Sequence, residues 1–260
     1  MDKHYYGDLC ALYYDIDKPT APPDELALLL SFASPGMRIL EPMCGSGRFI
    51  VPFAERGYSI DGFDLSEAMI ARCREKLIPL HAASRIDLCD FAGFDRHREP
   101  YDLIFIAAGS FSLLTDQSMI KEALQVMKQC LKPDGRIVLS VLTDRAYRSA
   151  PITKSHSESA SEQEGRSVQQ GSIEVVLKGS NSVYEPENRV QSSLLTYELY
   201  VEGQYVRSES EDFHLKLYGP NDFDVTVDQC GLTIDRKYTD LGKSNTDYQH
   251  GDAIWYELSK

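Results

Sequence analysis

The stretch ILEPMCGSGRFIVPFAERGYSIDGFDLS, residues 39–66, sets two apolar runs, each ended by an acid, on either side of a glycine turn. Glu41 ends the first run, Gly45-Ser46-Gly47 follows, and Asp64 ends the second. Glycines at such a turn let the backbone bend sharply and approach a ligand closely. Residues Arg48 to Glu55 between the two runs read as a helix. Strand, glycine turn, helix, strand is the unit of an open parallel sheet, whose ligands bind outside the carboxyl ends of the strands. An acid there is placed to accept both hydroxyls of a ribose.

The same alternation continues outward. RILEPMC, YSIDGFDL, ASRIDLCDF, YDLIFIAAG and GRIVLSVL read as five strands, three of them nearly continuous apolar runs, as expected where both sheet faces are covered. Helices are expected at Ser66 to Leu77 and Asp116 to Leu131, with Ser66 and Asp116 as N-caps. KPDG then breaks the helix before the last strand. Asp90 and Phe91 end the third strand, offering an acceptor and a ring to the amino group and face of an adenine.

Beyond residue 148 the pattern changes. Residues 149–172, rich in Ser, Glu and Gln, read as an exposed loop. From Ile173 to Leu217 strands follow one another without helices, with Glu202-Gly203-Gln204 as a hairpin turn. GPNDFDVTVDQCG suggests a short helix ending at Gly231, and LTIDRKYTDL and DAIWYELSK are closing strands. The expected organisation is α/β: an N-terminal helical lid (1–35), a Rossmann-like doubly wound core (36–148), a mobile loop (149–172), an antiparallel β insertion (173–218), and a C-terminal completion of the core sheet (219–260).

Composition narrows the partners. The 260 residues carry a formal charge of -13, which repels phosphate backbones and anionic lipid surfaces. No nucleic-acid or membrane partner is expected. The start of the chain lacks an apolar leader, and the run Leu26 to Ala33 is too short to span a bilayer. Six scattered cysteines form no C-x-x-C pair, which points to a reduced, cytoplasmic protein without a metal site. A homodimer is compatible with the sequence, which does not fix the oligomeric state.

A lone Gly-x-Gly is weak evidence, but its ordered company is specific. Glu41, Gly45-Ser46-Gly47, Asp64 and Asp90-Phe91, in that order, resemble the class I S-adenosylmethionine-dependent methyltransferases over Ile39 to Leu142. The resemblance implies S-adenosyl-L-methionine as cofactor and methylation as the reaction. It also implies roles. Glu41 lies near the methionine part, Cys44 to Gly47 form the cofactor loop, and Asp64 binds the ribose. Leu65 and Met69 pack near the adenine, Asp90 holds its amino group, and Ala107 to Phe111 lie beside the transferred methyl. One residue departs from the pattern: Met43 stands where the family usually has glycine. A dinucleotide fingerprint fits less well, because its third glycine is replaced by Ile50 and it has no use for Glu41 or Asp90-Phe91.

The acceptor is harder to read. AAGSFSLL follows the fourth strand, where base-modifying members carry Asn/Asp-Pro-Pro-aromatic. The strand-rich insertion and the tyrosine-rich N-terminus resemble the cover and lid of small-molecule members. The expected acceptor is therefore a small molecule methylated at N or O. Tyr6, Ser110, Phe111, His214 and Tyr218 are expected to line its pocket, with Tyr14, His214 and Tyr218 as candidate catalytic groups. Strand alternation sets His214 and Tyr218 on one face, opposite Phe213 and Leu217. Asp15 and Asp17 are expected to be solvated, and Arg48 to be an ordinary helix residue. The alternatives are another enzyme on the same fold (an aminopropyl transferase or dehydrogenase), a protein methyltransferase with a basic partner, or a binding protein without activity.

Overall fold

In the computed structural model, which describes residues 6–81, 83–145, 165–179, 182–244, 247–248 and 251–260, the five expected strands form the parallel part of a seven-stranded sheet. They are β1 (Arg38–Pro42), β2 (Ser59–Asp64), β3 (Ile86–Leu88), β4 (Tyr101–Ile106) and β5 (Leu131–Leu142). The closing strands are β11 (Thr233–Tyr238) and β12 (Ala253–Ser259), giving the order β11-β12-β5-β4-β1-β2-β3. β12 runs antiparallel to both β5 and β11. β1 lies between β2 and β4, so the chain winds away from it in both directions and leaves a crevice at its carboxyl end.

Alternation along the strands explains the continuous apolar runs. Ile39, Leu103, Phe105 and Val138 point to one face, against α2 (Pro23–Leu30), α3 (Ile50–Glu55) and α4 (Glu67–Leu77). Leu40, Ile104, Ile106, Ile137 and Leu139 point to the other, against α5 (Gln117–Cys130) and α6 (Asp222–Gln229). Both expected caps form: Ser66 Oγ accepts from the Met69 amide, and the Asp116 carboxylate from the Ser118 and Met119 amides. KPDG does end α5, but it belongs to the strand, as an irregularity in the pairing of β5 with β4.

The second sheet is antiparallel: β6 (Arg166–Gln170), β7 (Ile173–Gly179), β9 (Val190–Val201) and β10 (Gln204–Lys216), with the short β8 (Val183–Glu185) beside β9. The Glu202-Gly203 turn has φ of 52° and 74°, the pair of positive angles that a tight two-residue hairpin needs. Residues 149–172 require a correction. Residues 166–170 are a strand rather than loop, joined to β7 by a turn in which Gly171 takes φ 62°. Val168 holds this strand by packing with Leu9, Cys10 and Tyr13 of α1 (Asp8–Asp17). Residues 149–164 of the expected loop lie outside the described residues. Asp15 and Asp17 are not simply solvated: Asp15 pairs with Arg72 and Lys76, and Asp17 with Arg166, tying α1 to α4 and β6. Among the described residues no helix is long and apolar enough to cross a membrane.

Candidate active site

A cavity of about 410 Å³ opens at the carboxyl ends of β1, β2 and β4, within the range of small-molecule sites. Its floor is the cofactor-type loop. Gly45 and Gly47 take φ of 54° and 82°, and Met43 takes 57°. A side chain is uncommon in that left-handed region, so Met43 holds a conformation that suits glycine better. A Cβ on Gly47 would lie 2.7 Å from Cys73 Sγ, so glycine there lets the loop close against α4. At Gly45 the nearest atom is Met69 Sδ at 4.0 Å, which leaves the cavity side free for a ligand.

Three acids line the floor or its rim, and a fourth, Glu25, stands behind it. Asp64 Oδ2 accepts from the Gly45 amide and Oδ1 from the Ser66 amide, both at 2.9 Å. Burial pushes its pKa up against those bonds. Glu41 is 3% exposed, and its Oε2 has no hydrogen-bond partner. Burial holds its carboxyl well above the usual range, aided by Cys73, Glu25 and Asp64, while the Ile50 amide acts in the opposite direction. Asp90 is exposed at the rim, its Oδ1 accepting from the Gly93 amide. Glu25, which the sequence reading missed, reaches from α2 to accept from the Ala108 amide at 2.6 Å.

Two cations face these acids. Arg48 Nη1 donates to Tyr14 Oη at 3.0 Å, and its Nε is buried without a partner. Lys18 Nζ lies 5.1 Å from the Tyr14 ring centre, its pKa lowered by burial and by Arg48. Arg48 is thus a cavity residue rather than an ordinary helix residue. The signal was its place directly after the glycine turn.

Most of the expected residues meet here. Glu41, Cys44, Gly45, Asp64, Leu65, Met69, Asp90, Phe91 and Ala107 line the cavity, as do Tyr6, Tyr14, Ser110 and His214. Leu65 and Met119 keep 49% and 45% of their surface exposed, forming an apolar lip.

Four others do not line it. Ser46 and Gly47 turn away from the cavity, Ser46 being 1% exposed with its carbonyl accepting from Lys76 Nζ. Phe111 is fully buried with its ring 5.2 Å from Phe223, because the short helical turn Ser110–Leu113 directs it into the core. Tyr218 packs on Phe223 as well, 3% exposed, where its main chain bridges to Thr143 after β10 has ended. Neither Phe111 nor Tyr218 is in position to contact a ligand there. His214 reaches the rim only, with an exposed side chain whose Nδ1 lies 2.8 Å from Ser192 Oγ. The inward face of β10 is the opposite one and presents Glu211, Phe213 and Leu215.

Comparison with known proteins agrees with this geometry. Residues 39–135 match the family model described as a methyltransferase domain. A stretch of 134 residues, 50% of this chain, is 28% identical to "Putative methyltransferase YqeM" of Bacillus subtilis (strain 168), covering 53% of that protein. The chain thus spans about half the length of the curated relatives it matches. Among solved structures, the CcbJ methyltransferase from Streptomyces caelestis superposes with a TM-score of 0.74 at 20% identity, over 100% of this chain and 99% of that one. CalS10, an amino pentose methyltransferase from Micromonospora echinaspora solved with S-adenosylmethionine bound, gives 0.63 at 18% identity, over 91% and 89%. The chain has the Rossmann-like fold of the class I methyltransferases. The match to a methyltransferase domain covers the stretch that carries Glu41, the glycine turn, Asp64 and Asp90.

Proposed function

We propose that this chain is an S-adenosylmethionine-dependent methyltransferase acting on an N or O atom of a small molecule. The observation that carries the reading is the charge pattern of the cavity floor. Glu41, with an oxygen unpartnered, suits the ammonium of the cofactor's methionine end, and Arg48 with Lys18 suits its carboxylate. Asp64 retains acceptor capacity for ribose hydroxyls beyond the two amides that it already holds. Leu65, Met69, Phe91 and Met119 give an apolar slot for the adenine, with Asp90 at its edge.

The bound cofactor supplies an activated methyl group. The chain's own task is to align the acceptor and exclude water, and alignment of this kind is worth about 7–11 kcal/mol of a barrier. Ala107 to Ser110 bend sharply, with Ala108 and Gly109 at φ 55° and 69°, and bring the end of β4 to the cavity wall. Tyr6 and Tyr14 from the N-terminal segment, with β10, close the other side. Walls from two distant segments around a cavity of this size favour a small acceptor over a polypeptide.

Calorimetry with S-adenosylhomocysteine and with NAD tests the cofactor reading. Saturable binding of S-adenosylhomocysteine and none of NAD is expected. NAD binding without S-adenosylhomocysteine binding would overturn it.

A further inference from the structure

We infer that the methyl acceptor is an amine, held as its cation by Glu211 and methylated on nitrogen. This rests on the cofactor reading above. Once the methionine end and the nucleoside have taken Glu41, Arg48, Lys18, Asp64 and Asp90, one buried charged side chain remains on the cavity wall. That side chain is Glu211, 8% exposed, on the inward face of β10 beside Phe213 and Leu215.

Neither oxygen of Glu211 has a hydrogen-bond partner of good geometry. A buried carboxylate with no cation beside it is costly, and such a group calls for a cation from a ligand. Burial and the like-charged Glu209 push its pKa up, and the Cys10 thiol and the Gly7 and Tyr6 amides, which approach it as donors, offset that only in part. None of these is a cation. Glu209 is occupied elsewhere, accepting from the Leu9 amide and pairing with Arg207. The wider cavity wall has the same sign, with Glu41, Asp64, Asp90, Asp116, Glu122, Glu211 and Asp212 against Lys18 and Arg48. A cationic acceptor is attracted to such a wall, and an anionic one is repelled.

The chemistry also favours nitrogen. An alcohol would need a base strong enough to remove its proton as oxygen attacks. Among the described residues every histidine is exposed, and no imidazole is buried in the cavity. A carboxylate is too weak a base for that task. An alkylammonium of pKa about 10.4 gives up its proton far more readily. Glu211 takes one proton from the bound ammonium and becomes a neutral carboxylic acid. The free amine nitrogen then forms its bond to the methyl carbon as the carbon–sulfur bond breaks, leaving a methylated ammonium and neutral S-adenosylhomocysteine. Tyr6 and Tyr14 on the same wall offer ring faces to the cation.

Cyclohexylamine and cyclohexanol, nearly equal in shape and differing in charge, provide the test. Both are titrated by calorimetry at neutral pH into the wild-type protein saturated with S-adenosylhomocysteine, and into Glu211→Gln prepared in the same way. The amine is expected to bind at least tenfold more tightly than the alcohol. Glu211→Gln should remove that preference while S-adenosylhomocysteine affinity stays within threefold. Glu211→Asp, which keeps the charge, should retain part of it. Equal binding of amine and alcohol, binding of neither, or a preference that survives in Glu211→Gln would overturn the inference. So would loss of S-adenosylhomocysteine affinity in Glu211→Gln, since Glu211 would then serve the docking of the N-terminal segment. Failure of the wild type to bind S-adenosylhomocysteine at all would be a failure of the cofactor reading, seen before any amine is added.

Discussion

Asp64 accepts the amide hydrogen of Gly45 at 2.9 Å, so the acid that ends β2 holds the glycine turn that follows β1. Its other oxygen holds the Ser66 amide, at the cap of α4. One carboxylate therefore fixes the geometry of both loops that frame the crevice. A hydrogen bond to a charged acceptor is worth about 1.5–3 kcal/mol.

Asp64→Ala is accordingly expected to lower S-adenosylhomocysteine affinity at least tenfold and to lower Tm as well. Asp64→Asn, which keeps a neutral acceptor, should lose affinity with a smaller drop in Tm. Calorimetry and thermal unfolding of the two variants check this. An unchanged Kd in Asp64→Ala would reduce Asp64 to a turn residue.

Met43 gives a test of backbone strain. Its left-handed conformation costs a non-glycine residue about 1–2 kcal/mol, while its side chain packs partly against the core. Met43→Gly and Met43→Ala both lose the packing, but only glycine relieves the strain. The glycine variant should therefore be the more stable by about 1 kcal/mol in urea unfolding, the reverse of the usual order for these two residues. An alanine variant of equal or greater stability would show that no strain is stored at this position.

Local sequence was enough for features that local chemistry decides. Glu41, the glycine turn, Asp64 and Asp90 follow one another at strand ends, and Ser66 and Asp116 cap their helices through residues two or three positions away. The second half of the site depends on contacts that no local pattern carries. The Leu9 amide meets Glu209 across 200 positions, and Arg48 meets Tyr14 across 34. Alternation along β10 separated Phe213 from His214 correctly but did not say which face met the cavity. Alternation alone favours neither face, and Glu211, on the face opposite His214, carries no local signal that marks it as a cavity residue. β6 was hidden because Val168 is its one apolar residue, paired with β7 at the sheet edge.

Tyr218 supplies a negative control for the cavity. Its hydroxyl is buried without a partner beside Phe223, and burial raises its pKa. Removing a buried, unsatisfied hydroxyl is neutral or stabilising. Tyr218→Phe is expected to keep or raise Tm and to leave cofactor affinity and methyl transfer unchanged. Tyr218→Ala should destabilise by about 3–5 kcal/mol, because it opens a cavity in the core. A large loss of turnover in a well-folded Tyr218→Phe protein would return the hydroxyl to the site.

Glu41 sets stability against binding, and the sign follows from its pKa. The folded value lies well above that of an unfolded glutamate, because burial disfavours the charge. Below an ordinary glutamate pKa of about 4.3 both states are protonated, and Glu41 has no pH-dependent effect. As pH rises from there toward the folded value, the unfolded chain releases its proton while the folded one retains it. Stability then falls by about 1.4 kcal/mol per pH unit from this group, and the fall ends once the folded carboxyl also ionises. Glu41→Gln removes the effect. The unliganded variant should therefore match wild type in Tm near pH 4 and exceed it near pH 7. Its affinity for S-adenosylhomocysteine at neutral pH should be lower, because the amide offers no negative charge to the ligand's ammonium. Thermal unfolding across that pH range, with calorimetry at pH 7, checks both halves. A Glu41→Gln protein less stable than wild type at pH 7 would show that the carboxylate is held by partners in the free protein, and that its unpartnered oxygen is not the mark of a ligand site.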